Sequence, residues 1–477
     1  MKVKFATLLL VAAWAAPAAA QTRDTLALSL ETAVDRALQV GDEVLLARAQ
    51  VELAEAQMTT ARASALPQLR LSSTFNHVYE NARANAVGQI FNQPNTYNTN
   101  ANLSQTVFQG GRVFAGTRAA ARLRGAALLT AQEARNNTSY DVQAAYLDAV
   151  LATQLTEIQQ ANLELAESQL KQVMQFEASG RAARYDVLRA RVQRTNIEPQ
   201  LIQARANADI ALLELKRLTN IPAAQPVRLT TRLEPQSVNQ LVTLVGSEGA
   251  AVEDRPSVKA ARLTAEARHL AIGVARADML PTVSVFVQSG FQAFPPVGAG
   301  FPTDRGRLVP TPCTSNPSGI CNVQNGGWFQ DRSLGVQFSW PIFDGLRAKG
   351  NIDAAQAQAK IADLQLAQER ESVALEIEQA RANLARARSL MAAQQQNAGE
   401  AGEAFRLASL RFTRGLSTQL DVSDAQIALM TARTNEARSV YDLYLAIAGL
   451  ARAQGNVVPL PTPAALTPVK SSSQDKP

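Results

Sequence analysis

The sequence predicts a predominantly α fold with inserted β. An internally duplicated chain of very long helices forms an α-barrel wall, and four strands per chain contribute to a transmembrane β-barrel. Three observations carry this reading. The chain is written twice, each copy contains a proline-free helical stretch of nearly seventy residues, and short segments beside those helices alternate apolar with polar residues. Leu66-Pro67 reappears as Leu280-Pro281, behind Ala61-Arg62-Ala63 and Ala275-Arg276-Ala277. Phe108-Gln109-Gly110-Gly111-Arg112 lines up with Phe343-Asp344-Gly345-Leu346-Arg347, and Gly180 and Asp186-Val187 with Gly415 and Asp421-Val422. From Phe108/Phe343 to Asp186/Asp421 the displacement stays at 235 residues (343 − 108 and 421 − 186). A repeat this long indicates duplication with pseudo-symmetry, not a solenoid.

The elements follow in chain order. Residues 1–20 read as a secretory signal peptide: Lys2 and Lys4, an apolar run from Phe5 to Ala16, then Ala18-Ala19-Ala20 before Gln21. Gln21 in place of cysteine argues against an acylated N-terminus. The first repeat spans 21–219. It opens with a helix from about Leu30 to Ala65, followed by a β-hairpin at about 66–108, a long helix at about 112–179 and a return helix at about 186–218. At 1.5 Å per residue the long helix measures about 100 Å and the shorter ones about 50 Å, so two short helices end to end match one long one. Pro199 is expected to kink or break the return helix. Residues 220–255 read as a linker, the equatorial one in what the family resemblance given below implies. The second repeat, 256–455, carries a β-hairpin at about 281–342, a long helix at about 346–414 and a return helix at about 421–454. The Pro- and Ser-rich stretch 456–477 reads as a disordered tail.

The long helices are too rich in alanine and charge for a globular core. Between Val373 and Gln394 the large apolar residues are Val373, Leu375, Ile377, Leu384, Leu390 and Met391. A wall wetted on both sides needs only such a narrow seam. A two-stranded coiled coil satisfies the helices alone; the inserted strands argue against it. In these, Leu69, Leu71, Phe75 and Tyr79 oppose Gln68, Arg70, Ser72, Thr74 and Asn76. Tyr97, Ala101, Leu103 and Val107 oppose Asn98, Asn100, Asn102, Ser104 and Thr106. Val283, Val285 and Val287 oppose Thr282, Ser284 and Gln288, and Trp328, Leu334, Val336, Phe338 and Trp340 oppose Asp331, Ser333, Gln337 and Ser339. Strands near ten residues, apolar on one face with aromatics at the ends, describe an outer-membrane barrel, the alternative being a half-buried soluble sheet. Four strands do not close a barrel with a lumen, and lipid does not tolerate open edges, so the chain completes its barrel with copies of itself.

Composition excludes several other classes. No apolar stretch after Gln21 reaches a helical membrane span. Net charge is +6, or +4 (6 − 2) without Lys2 and Lys4, which gives no reason to expect a nucleic-acid partner. His77 and His269 are the only histidines and fall in different elements, and no P-loop, G-x-S-x-G or H-E-x-x-H occurs. No catalytic, cofactor-binding or metal site is therefore expected, and the chain does not read as an enzyme. Cys313 and Cys321, in a Gly/Pro/Asn-rich loop of an exported chain, read as a disulfide, with two free thiols the alternative.

Duplicated halves, two β-hairpins set into helices of about 100 Å, and tips written G-x5-D-V (Gly180 to Val187, Gly415 to Val422) resemble the TolC-type outer-membrane efflux proteins. The resemblance covers essentially the whole chain after residue 20. It implies a homotrimer embedded in outer-membrane lipid through a 12-stranded β-barrel, continued by a 12-helix α-barrel across the periplasm. It also implies docking of the helix tips at Gly180 and Gly415 to a periplasmic adaptor (membrane fusion) protein, with an inner-membrane pump behind it. The expected function is the passive exit duct of a tripartite pump for drugs or other small molecules. A type I protein secretion duct is the alternative, ahead of a stand-alone porin or a coiled-coil adhesin. Gly180 and Gly415 read as helix-ending residues of positive φ, and Asp186 and Asp421 as N-caps. The resemblance places the two aspartates of Asp421-Val422-Ser423-Asp424 at a closed periplasmic constriction, six carboxylates per trimer; a capping-box role for Asp424 is the alternative. The first copy, Asp186-Val187-Leu188-Arg189, departs from that motif. Where better-known members carry an Arg and a Tyr facing Asp186, this chain has Ser417 and Phe412, so its resting gate is expected to rest mainly on helix packing.

Overall fold

The computed structural model describes residues 25–80, 82, 94–231, 252–295, 300–312 and 320–456. The expected signal peptide, the tail beyond Asn456 and Cys313 lie outside them, so the Cys313–Cys321 bridge stays an expectation. The helices are α1 (Leu30–Val40), α2 (Asp42–Ala63), α3 (Arg112–Ala178), α4 (Arg184–Leu218), α5 (Pro256–Arg276), α6 (Arg347–Thr413) and α7 (Gln419–Ala453). Helices α3 and α6 each contain 67 residues, and α4 and α7 each contain 35. Both pairs are displaced by 235 positions (347 − 112 and 419 − 184). The backbone repeats at the level of single dihedrals. Positive φ occurs at Gly110 and Gly345, Gly111 and Leu346, Gly180 and Gly415, and Asn220 and Gly455, each pair sharing that displacement.

Two expectations about the helices need correction. The stretch from Leu30 to Ala65 is two helices, because Gly41 at φ −67°, ψ 136° ends α1 and opens α2. That extended backbone breaks the ladder, and a Cβ at Gly41 would lie 2.4 Å from the Ala37 carbonyl oxygen. Of the two outcomes expected at Pro199, it is the break that does not occur: α4 runs unbroken from Arg184 to Leu218. Buried Ile197 and Leu201 flank the proline and pin both halves, offsetting the lost hydrogen bond.

The wall has α3 at its centre, packed along α2 and α5 in one half and along α4 and α7 in the other; α6 completes it against α5 and α7. The core sits at the waist. There Leu147 and Leu151 of α3, Met391 of α6, and Leu443, Tyr444 and Ile447 of α7 pack together. A second cluster joins Leu28, Val34, Val142, Tyr146 and Leu215. Part of the expected linker is a strand: β4 (Val227–Leu229) pairs in parallel with β1 (Leu26–Leu28). The Tyr146 hydroxyl ties the pair to α3, donating to the Leu28 carbonyl at 2.9 Å and accepting from the Thr231 amide at 3.1 Å. Buried Arg255, just before α5, pairs with Glu133 of α3 and Glu376 of α6, and Arg452 of α7 reaches Glu376 at 2.7 Å.

The inserted strands β2 (Gln68–His77), β3 (Asn95–Gln109), β5 (Thr282–Ala293) and β8 (Trp328–Ser339) form one antiparallel sheet in the order β2-β3-β5-β8. Tyr79 falls beyond the end of β2, two residues short of the expected strand. Leu69, Leu103, Val287 and Leu334 stand opposite one another across the sheet, and so do Arg70, Asn102, Gln288 and Ser333 on the other face. The apolar row is left open, with Leu69 73% and Leu334 75% exposed. β6 (Leu308–Pro312) and β7 (Ile320–Gln324) make a separate hairpin before β8. No helix among the described residues is long and apolar enough to cross a membrane.

Candidate functional site at the helical tips

Each long helix ends one sharp reversal away from its return helix. After α3, Gly180 takes φ 72°, which brings the Arg181 amide back to the Phe176 carbonyl at 2.7 Å. After α6, Gly415 takes φ 74°, and the Leu416 amide reaches the Arg411 carbonyl at 2.8 Å. These are Schellman closures. A Cβ at either glycine would meet nothing within 4 Å, so the left-handed backbone and not lack of space selects glycine.

The aspartates act three positions later than expected. Ala183 and Thr418, not Asp186 and Asp421, are the N-cap residues. Asp186 reaches back to accept from the Ala183 amide at 3.1 Å. Asp421 accepts from the Thr418 amide at 2.9 Å and from its hydroxyl at 3.0 Å, while the Asp421 amide donates to the Thr418 hydroxyl at 3.3 Å. That reciprocal pair is a capping box, and it occupies Asp421, which leaves Asp424 exposed one turn on and outside the box. The hydrogen bonds from Thr418, aided by the charge of Arg411, hold the Asp421 carboxyl below the usual carboxylate range.

Phe412 meets Phe176 of the other repeat with ring centroids 5.6 Å apart, and the Arg181 guanidinium lies over the Phe176 ring, 4.5 Å from its centroid. Ser417 turns inward and donates to the Ala408 carbonyl at 3.4 Å. No hydrogen bond joins it to Asp186 among the described residues. Aromatic packing therefore links the two tips, where no ion pair joins the repeats among the described residues.

Above the tips lies a polar seam. Gln426, 1% exposed, donates to the Asn162 side-chain oxygen at 2.7 Å. Gln193 of α4 donates to Gln426 at 3.3 Å and accepts from the Ser423 hydroxyl at 2.6 Å. Helices α3, α4 and α7 are thereby tied across the repeats. Its trace in the sequence is Gln426 standing in phase with apolar Val422, Leu429 and Met430. The seam floors a groove of about 680 Å³ between α4 and α7, whose walls carry Arg189, Val192, Asn196, Ile427, Thr431 and Arg438. The two histidines stand far from this site: His77 is hydrogen-bonded to Asn95 at 2.6 Å and His269 to Asp363 at 3.0 Å.

A model of the family described as outer membrane efflux protein matches residues 33–220 and 249–456, one span in each repeat. Nodulation protein T of Rhizobium leguminosarum bv. trifolii is 25% identical over 416 residues, 87% of this chain and 82% of that protein. Outer membrane protein OprJ of Pseudomonas aeruginosa is 25% identical over 431 residues, covering 88% and 84% of the two chains. Among solved structures, the CmeC outer membrane channel of Campylobacter jejuni superposes with a TM-score of 0.74 at 18% identity, over 89% of this chain and 85% of that one.

Proposed function

The chain belongs to the outer membrane efflux protein family, and from that premise we propose that it is the passive exit duct of a tripartite pump for drugs or other small molecules. It is located in the outer membrane and extends into the periplasm. In our reading three copies assemble, their twelve strands closing a barrel in lipid and their helices lining a conduit toward a periplasmic adaptor and an inner-membrane pump. The observation that carries this is the four-stranded sheet. Among the described residues β2 and β8 have no further neighbour, and the apolar face is bare in the single chain. In hydrocarbon such edges demand partners, and further copies of the same sheet supply them. The tips at Gly180 and Gly415 take the adaptor, and the region of Asp186, Phe412, Ser417, Asp421 and Asp424 is the gate.

Two measurements test the proposal. Crosslinking in mild detergent stops at three chains; a monomer as the sole folded species overturns the assembly. Cells retaining adaptor and pump but lacking this chain accumulate a fluorescent dye exported by that pump, and restoring the chain clears it. Unchanged accumulation overturns the small-molecule assignment.

A further inference from the structure

Where β3 runs into α3, the strand turns two successive apolar side chains to one face. Its register against β5 slips between Thr106, opposite Ser284, and Phe108, opposite Val283, so Val107 is the extra residue of a bulge. Val283 stands beside Phe338 in the apolar face, and Phe108 joins that row. Phe114, in the first turn of α3 and 63% exposed, lies below them, and the three open on a groove of about 620 Å³. Gln105, a polar residue in the row of Val285 and Val336, turns its amide to the Ala65 carbonyl at 2.9 Å and closes the groove against the corner after α2.

One turn further along α3, the Arg118 guanidinium lies over the Phe114 ring, 4.0 Å from its centroid. Arg112, Arg122 and Arg124 are held by Asp278, Glu266 and Glu55, whereas Arg118 is exposed and has no carboxylate partner among the described residues. A guanidinium stacked on a ring keeps its in-plane N–H groups free, and that fork matches a phosphate. The second repeat lacks the arrangement. Lys349 and Asp353 stand where the first repeat has Phe114 and Arg118 (349 − 114 and 353 − 118 are both 235).

From this placement, and resting on the reading above that the apolar face of the sheet meets lipid, we propose that the groove holds one anionic phospholipid of the periplasmic leaflet. An acyl chain lies on Val107, Phe108 and Phe114, and the headgroup phosphate meets Arg118. The groove sits at the strand-to-helix junction, where the chain leaves the membrane for the periplasm; aromatic rings and arginine settle at that depth of a bilayer. Its volume falls within the roughly 300–1,000 Å³ of small-molecule sites. The neighbours decide the charge of the occupant. A zwitterionic headgroup brings an ammonium, but Glu55, Glu266 and Asp278 are engaged by arginines. An anionic headgroup of the phosphatidylglycerol type pairs Arg118 and asks for no further carboxylate.

Native mass spectrometry of the purified protein, with phosphatidylglycerol or phosphatidylcholine of equal chain length added to the detergent, provides the test. Phosphatidylglycerol stays bound at one molecule per chain, and phosphatidylcholine is retained several-fold less. Arg118→Gln lowers phosphatidylglycerol occupancy several-fold, and so does Phe114→Leu, which keeps an apolar side chain and removes the ring. Lys349→Gln, at the equivalent position of the other repeat, matches wild type. Equal retention by Arg118→Gln and wild type overturns the inference, as does an equal loss in Lys349→Gln, the mark of diffuse attraction. Equal retention of the two lipids, or displacement of the lipid by inorganic phosphate, overturns it as well. A correct trimer without Arg118-dependent lipid sinks this inference alone. A chain that stays soluble without detergent and binds no lipid removes the lipid-facing sheet and the proposed duct with it.

Discussion

Gly110 and Gly345 show how two equivalent residues carry different constraints. Both hold positive φ where a strand turns into a long helix, at 57° and 70°. A side chain in that region costs about 1–2 kcal/mol. A Cβ at Gly345 would meet nothing within 4 Å, but at Gly110 it would lie 2.8 Å from the Leu280 Cβ and 3.0 Å from Ala277. Gly345→Ala should therefore show the backbone cost alone, while Gly110→Ala adds an overpacking cost of about 1–3 kcal/mol. Thermal unfolding of the two variants in detergent checks this, and equal losses would contradict it. The next position makes the same point, since Gly111 is matched by Leu346, a non-glycine residue at φ 68°. At this scale the sequence was legible for glycines, whose spacing exposed the repeat. It was less legible for hydrogen bonds. Asp186 and Asp421 stand at a helix start as expected, but Ala183 and Thr418 are the caps, and only the capping-box spacing of Thr418 to Asp421 held that information.

Between helices, equivalent positions again diverge, and here the divergence sets a pH response. Asp141 of α3 and Glu376 of α6 are equivalent (376 − 141 = 235). Glu376 sits against Arg255 and Arg452. Burial alone would raise its carboxyl, but the hydrogen bonds and charges of the two arginines outweigh that and hold it below the usual range. Asp141 is pushed up, first by burial and then by the charge of Glu43, with only Arg452 opposing. The signs follow. A carboxyl lowered by folding stabilises above its unfolded pKa and loses that contribution as pH falls through the folded value. A carboxyl raised by folding carries a cost that is full above the folded value and absent below the unfolded one. Asp141→Asn should thus raise the melting temperature at neutral pH and gain nothing once the pH drops below the ordinary carboxylate range. Glu376→Gln should lower stability at neutral pH by about 1–3 kcal/mol, since it leaves buried Arg255 short of a partner. A stabilising Glu376→Gln would show that the waist pairs are dispensable. At the tips, where Phe412 packs on Phe176 and Ser417 faces its own helix, Ser417→Arg should lower the resting conductance of the purified channel. Element lengths were legible in the sequence because no proline interrupts α3 or α6. The break at Gly41 and the continuity through Pro199 were not, because both are decided by neighbouring helices.

For the molecule as a whole, the order β2-β3-β5-β8 was beyond the sequence, because alternation fixes faces and not neighbours. Once the register is known, it places residues adjacent in one strand in opposite surroundings. Leu334 belongs to the row Leu69, Leu103, Val287 and Leu334, and Ser333 to the row Arg70, Asn102, Gln288 and Ser333. If three such sheets close a barrel, the first row faces hydrocarbon and the second faces the lumen. An arginine on the lipid face near the midplane costs about 2–4 kcal/mol, whereas one on the lumen face stays hydrated. Leu334→Arg should then cut the yield of membrane-inserted trimer, while Ser333→Arg should assemble normally and alter ion flow. Outer-membrane fractionation with crosslinking reads the first outcome, and bilayer conductance the second. The half-buried soluble sheet predicts another pattern: its apolar face would be covered by protein, so Leu334→Arg would unfold the chain before it reached the membrane. A folded, soluble Leu334→Arg protein lacking trimer places the fault at insertion, and loss of the helical signal as well would return the sheet to the soluble reading.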